Sequence, residues 1–143
     1  SDLVALLRVL RETGARPQEI AGLAADQVDW ANACTRQKKH KTARKTRRER
    51  IIHFTAAAMA VLEAQRAKYP DGPLFRTRTG RAWTCDSLRK RMFQVSERTG
   101  VKAIAYGVGR HSFATKALVR GVPDTVVAAI LGHTSTAMVH KNY

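Results

Sequence analysis

The last third of the chain carries Arg110 and His111, then Leu131, Gly132 and His133, and then Tyr143. Residues of these types can transfer a phosphoryl group without a metal. In-line attack on a phosphodiester builds charge on the non-bridging oxygens, which a guanidinium stabilises through paired hydrogen bonds. A tyrosine hydroxyl, with an ordinary pKa of about 10, becomes a competent nucleophile when cations lower the cost of its anion. A lysine can protonate the departing 5′ oxygen. The phosphotyrosine ester so formed would keep the bond energy, allowing the strand to be rejoined without ATP.

Other chemistries find less support. Metal-dependent nucleases need converging carboxylates, whereas the 11 acidic residues here are scattered, most of them at helix caps and turns. His133 and His140 lack a cysteine or an HExxH partner with which to bind zinc. No GxxxxGK[ST] loop is present to cradle a nucleotide. No metal and no other cofactor is expected.

A chain of 143 residues suits one domain with its own core. Lysine and arginine outnumber the acids 26 to 11, for a net charge of +15. That excess exceeds what solubility requires and points to a polyanionic partner. The cationic stretches are broken by turn residues and do not oppose one long apolar helical face, which favours nucleic acid over a membrane. Cys34 and Cys85 form no CxxC pair and read as reduced thiols. With no 18-residue apolar run and no cationic start before the first leucines, a soluble, cytoplasmic chain is expected.

The elements that must position the chemistry can be read in order. Ser1 or Asp2 can cap a helix with the stripe Leu3, Leu6, Leu7 and Leu10, ended by Gly14. Pro17 opens a second short helix through about Leu23, which puts Arg16 at its N-terminus. Glu19, three residues on, shares the helix face and can orient that guanidinium. An ordinary surface ion pair is the competing reading.

Residues 36–50, RQKKHKTARKTRRER, hold nine lysines and arginines and a single acid. The flanks, 28–35 and 49–54, contain β-branched and aromatic residues, so the segment reads as a hairpin with a long cationic turn. Lys38, Lys39, Arg44, Lys45, Arg47 and Arg48 would follow a DNA backbone there. A solvated loop without chemistry is the plainer alternative.

Thr55 can cap a helix carrying Met59, Val61 and Leu62, and Leu74 and Phe75 suggest a brief strand. Thr84, Asp86 and Ser87 are capping candidates for a helix with the stripe Leu88, Met92 and Val95 and its exit at Gly100. Arg89, Lys90 and Arg91 put charge on its outer face, for phosphate contacts or for solubility. Two more helices are expected, over 110–119 and from Pro123 to about Gly132. Phe113, Ala117, Leu118, Val126, Val127, Ile130 and Leu131 should be core. The sum is a mainly α chain of about six helices with a small antiparallel β-sheet, an α+β class.

Four segments, TGARPQEIAGL (13–23), HKTARKTRRERIIHFT (40–55), GRHSFATKALVRGV (109–122) and LGHTSTAMVHKNY (131–143), together resemble the ordered motifs of the tyrosine recombinase, or phage integrase, catalytic domain. The resemblance covers nearly the whole chain and implies that family's fold. It implies DNA strand cleavage and rejoining through a 3′-phosphotyrosyl intermediate, and a cytoplasmic, nucleoid-associated protein. Carried over residue by residue, it makes Arg16 and Arg110 the phosphate-binding arginines, with Glu19 at the acidic position after the first. Lys41 becomes the general acid, with Lys39 and Lys45 near enough to leave its register open. His133 becomes the phosphate-bonding histidine and Tyr143 the nucleophile, while His111 matches a family histidine whose role is packing or capping.

Two departures from the family pattern matter. Gly107 stands where the family usually has a histidine, and neighbouring Tyr106 can supply a hydroxyl if the 107–109 turn bends suitably. The resemblance also implies a fragment, 1–143, that lacks the family's N-terminal core-binding domain and the segment after the tyrosine. On that view the isolated domain is monomeric and self-association on DNA belongs to the full-length protein. The competing functions are a catalytically impaired DNA-binding remnant of the same fold and a type IB topoisomerase-like enzyme.

Overall fold

The first helix, α1 (Leu3–Thr13), buries Leu6, Val9 and Leu10 completely, the inward stripe of an amphipathic helix. The computed structural model describes residues 1–38, 49–133 and 135–143. Gly14 ends α1 in the left-handed conformation at φ 65°, and its N–H bonds to Leu10 O. Asp2 sits at the N-cap but does not cap. Its carboxylate accepts instead from Lys68 Nζ at 2.6 Å and from Arg76 N at 2.9 Å, contacts that hold it below the usual carboxylate range despite its burial. The short helix α2 (Pro17–Ile20) follows and stops three residues before the expected end.

A three-stranded antiparallel sheet comes next, in the order β1 (Val28–Asp29), β2 (Cys34–Gln37) and β3 (Arg50–His53). The expected flank over 28–35 is therefore two strands and a turn. Asp29 accepts from both nitrogens of Asn32, and Ala33 takes a positive φ of 50°, which reverses the chain. Strand β2 pairs with β3 from Cys34 opposite His53 to Gln37 opposite Arg50.

Thr55 caps α3 (Ala56–Lys68), its hydroxyl accepting from Ala58 N at 3.1 Å. Leu62 on that helix is fully buried against the α1 stripe. Leu74 and Phe75 are also fully buried, but they form no strand. Isolated bridges flank them, from Ala24 to Pro73 and from Arg76 to Ala82. Thr84 and Ser87 box the start of α4 (Cys85–Thr99), which Gly100 ends in the left-handed conformation.

The C-terminal part begins with a wide π turn (Gly107–His111) that runs directly into α5 (Ser112–Val119). The helix therefore starts upstream of Arg110, and Gly107 to Gly109 form no bend. Helix α6 (Asp124–Leu131) ends at Gly132, and α7 (Ala137–Asn142) is a helix the sequence reading does not anticipate. Val127, Leu131 and Val139 join these helices in a second apolar cluster, separate from the main core around α1. Val126 and Ile130, expected inside, are 44% and 41% exposed on the outer face of α6.

Candidate functional site

The site lies where the ends of α1 and α6 meet. Arg110, on the π turn, is the largest fully buried side chain of the described residues. Its Nη1 donates to Gly14 O at 3.0 Å, and its Nη2 donates to Leu131 O at 2.7 Å. Both acceptors belong to carbonyls at helix ends that lack an intrahelical donor, so one guanidinium satisfies two orphans and joins the two apolar clusters. Its Nε is buried without a partner. Burial pushes the guanidinium below its ordinary pKa, while Tyr106 beside it favours the charged form.

His133 completes the Arg110 group. Its Nε2 lies 2.9 Å from Arg110 Nη2. A guanidinium has no acceptor, so Nε2 must accept, and the neutral ring carries its proton on Nδ1. Burial, and then the cations Arg110, Arg16 and Arg50, depress this histidine to about 4. The Nδ1–H is itself buried without an acceptor. Gly132, at φ 73°, turns the chain so that His133 N closes on Ala128 O at 2.9 Å.

Arg16 reaches the same region from α2. It is buried, as is Glu19, so their contact is not a surface pair. Glu19 Oε2 accepts the Arg16 N–H at 2.7 Å and Oε1 accepts from its Nη1 at 3.2 Å. Pro17 at the first helical position makes this possible by fixing the chain at the start of α2.

Tyr143 packs at the edge of the second cluster. An aromatic row links it to the π turn, with His111 centred 5.1 Å from Tyr143 and 4.9 Å from Tyr106. The Arg110 guanidinium lies 5.9 Å from the Tyr106 ring centre. Burial raises the Tyr143 phenol above its ordinary value, Tyr106 adds to this, and Arg110 opposes it. Burial thus outweighs the cationic assistance. Gly107 offers no side chain, but its carbonyl accepts from Ser112 Oγ at 2.9 Å within the π turn.

Arg16, Glu19, Arg110, His133, Tyr106, His111 and Tyr143 are thus brought into one neighbourhood. Lys41, Lys39, Arg44, Lys45, Arg47 and Arg48 lie outside the described residues. Lys38 is exposed at the end of β2. Arg89 and Arg91 lie on α4, where Arg89 pairs with Asp86 at 2.9 Å and Arg91 with Gln94 at 3.2 Å, apart from the Arg110 contacts. Among the described residues, no three His, Cys, Asp or Glu side chains converge as metal ligands, and no helix is long and apolar enough to cross a membrane.

Sequence reasoning overlooks Arg50. This residue opens β3, and its guanidinium donates from Nε to Glu19 at 3.3 Å and from Nη1 to Ile130 O at 2.8 Å. Strand alternation supplies the missing signal, since an inward Ile52 places Arg50 on the same face.

The family model described as the phage integrase family matches residues 2–143. Among curated proteins, tyrosine recombinase XerA of Saccharolobus solfataricus is 26% identical over 90% of this chain and 40% of its own length. Prophage integrase IntF of Escherichia coli K12 is 33% identical over 97% of this chain and 30% of its own length. The chain therefore spans well under half the length of these relatives. Among solved structures, that of XerA recombinase superposes with a TM-score of 0.76 at 22% identity, covering 96% of this chain and 50% of the other. The Tn1549 transposon integrase in complex with circular intermediate DNA gives 0.76 at 16% identity, covering 97% and 54%. XerH site-specific recombinase bound to difH substrate gives 0.69 at 23% identity, covering 99% and 42%. At these identities the structural likeness establishes the fold.

Proposed function

Because the chain belongs to the phage integrase family of tyrosine-type site-specific recombinases, we propose that it cleaves and rejoins double-stranded DNA through a phosphotyrosyl bond at Tyr143. The observation that carries this reading is Arg110, fully buried, donating to a neutral His133 and keeping its Nε–H unpartnered. The Arg110 Nε–H and the His133 Nδ1–H are the donors left over for a phosphorane oxygen.

In this reading Arg16 and Arg110 take the non-bridging oxygens, and the His133 Nδ1–H adds a neutral donor. The Tyr143 phenol gives its proton up to solvent as its oxygen attacks phosphorus, the bond to the 5′ oxygen breaks, and Lys41 protonates that leaving oxygen. Glu19 orients Arg16, and His111 packs between the Tyr106 and Tyr143 rings. An arriving phosphate also brings the anion for which Arg16 and Arg110 are prepared. Lys38 and the cations of 39–48, with Arg89 and Arg91, contact the DNA backbone and give a steep salt dependence. We assign residues 1–143 to a catalytic domain whose longer protein assembles on DNA, in the cytoplasm at the nucleoid.

The test uses a pool of random-sequence duplexes nicked so that the 5′ fragment diffuses away after cleavage. Covalent adducts are recovered on denaturing gels. Adducts that vanish in Tyr143→Phe support the reading. DNA binding without any adduct from the wild-type chain would identify a binding remnant instead.

A further inference from the structure

We infer that Arg50 is a positioning residue of this site, holding Glu19, and through it Arg16, at a fixed distance from the Gly132 turn that carries His133. The inference rests on the functional reading above. Its geometry stands on its own contacts.

The Arg50 side chain is 7% exposed and has two occupied ends. Nε donates to Glu19 Oε1, the same oxygen that accepts from Arg16 Nη1. Nη1 donates to Ile130 O, one of the last carbonyls of α6 and without a partner inside that helix. The next carbonyl, Leu131 O, takes Arg110. Two buried guanidiniums therefore grip successive carbonyls at one helix C-terminus, where the helix dipole favours cations.

The grip fixes Gly132 as well. A Cβ there would lie 2.9 Å from Arg50 Nη1 and 3.0 Å from its Cζ, so the guanidinium occupies the space a side chain would need. The Leu-Gly-His glycine thus serves a close approach in addition to its left-handed φ. On the other side, Arg50 pairs in register with Gln37, whose Nε2 donates to Glu19 O at 2.7 Å. The last β2–β3 pair before the segment containing Lys41 therefore clamps Glu19 twice, by its backbone and by its carboxylate. One side chain joins the root of the basic segment, the Glu19 carboxylate that holds Arg16, and the His133 turn.

A lysine keeps the charge but has a single nitrogen and cannot reach Glu19 and Ile130 O together as the fork does. Arg50→Lys should slow single-turnover adduct formation about 10- to 100-fold at saturating DNA while leaving DNA affinity within about twofold. Arg50→Met should slow it further. A wild-type rate in Arg50→Lys would overturn the inference, because Arg50 would then act as charge alone. Affinity falling in proportion to rate would overturn it too, assigning Arg50 to DNA contact or to general folding. A second readout needs no activity: in Arg50→Lys the imidazole nitrogen resonances of His133 should move as its contact with Arg110 shifts. Unchanged resonances would refute the positioning role even if the wild-type chain forms no adduct. A wild-type chain without adduct refutes the proposed reaction alone.

Discussion

The core around α1 and the smaller cluster of α5, α6 and α7 are held by different forces. The first is a large apolar cluster, with Leu6, Val9, Leu10, Ile20, Leu62, Leu74 and Phe75 out of contact with water. Among the described residues the second has five buried members, two of them alanines, and it is fastened to the first through Arg110 and Arg50. Apolar packing is non-directional and tolerant. Charged hydrogen bonds to named carbonyls fix distances. The candidate chemistry sits on the seam where the second kind of fastening replaces the first.

The largest expected effect is at the seam. Arg110→Lys should reduce strand cleavage by about 10²- to 10³-fold in single-turnover assays, since one ammonium cannot serve Gly14 O, Leu131 O and His133 together. Amides of α6 and α7 should exchange faster in that variant while those of α1 keep their protection. Equal loosening of both regions would erase the distinction drawn above.

Leu62→Ala tests the other region. It should cost about 2–5 kcal/mol in urea titrations and lower the melting temperature of the whole chain, with cleavage per folded molecule unchanged. Gly14→Ala should cost less stability, about 1–3 kcal/mol, yet slow cleavage more. Its Cβ would meet Phe113 Cδ1 at 2.5 Å and Leu131 Cδ2 at 2.9 Å, forcing the two clusters apart beneath Arg110. A Gly14→Ala variant with unchanged kinetics would show that the seam tolerates displacement.

The smallest effect is in pH. His133 is depressed to about 4 in the folded chain, from an ordinary value of 6.5. Between these values the unfolded chain binds the extra proton, so stability rises with pH across the window and is lost as pH falls through it. Melting temperatures should decline from pH 6.5 toward 4, and the decline should flatten in His133→Gln. An unchanged slope in that variant would remove His133 as its source.

Much of the scaffold is legible in the sequence because its signals are local. Gly14, Gly100 and Gly132 each end a helix with positive φ, and Thr55 and Thr84 cap where a hydroxyl precedes an apolar run. The ordered arginine, Leu-Gly-His and tyrosine motifs mark the neighbourhood of the site for the same reason. What escapes is set by distant partners. Arg50 is one of nine cations in a run, and only the carboxylate of Glu19 and the end of α6 distinguish it. Val126 and Ile130 fit a helical stripe but find too small a cluster to cover them. Asp2 has a cap's position and loses its carboxylate to Lys68 and to the Arg76 N–H.

The π turn has a consequence for the helical phase of this part of the chain. Ser112 N reaches back five residues to Gly107 O, so the segment carries one residue more than an α-helical turn would hold. That surplus lets Gly109 lie against Leu10, where a Cβ would come within 2.8 Å, while Arg110 enters the seam. Deleting one residue here would turn the five-residue closure into a regular four-residue one joining the same two groups, so the segments on either side would keep their relative phase. Tyr106 and His111 would become i,i+4 neighbours and still face each other. The loss would fall on the approach of Gly109 to Leu10 and on the entry of Arg110 into the seam. A length difference of a single residue at this turn therefore acts on the Arg110 contacts, whereas the same difference in a surface loop would go unnoticed.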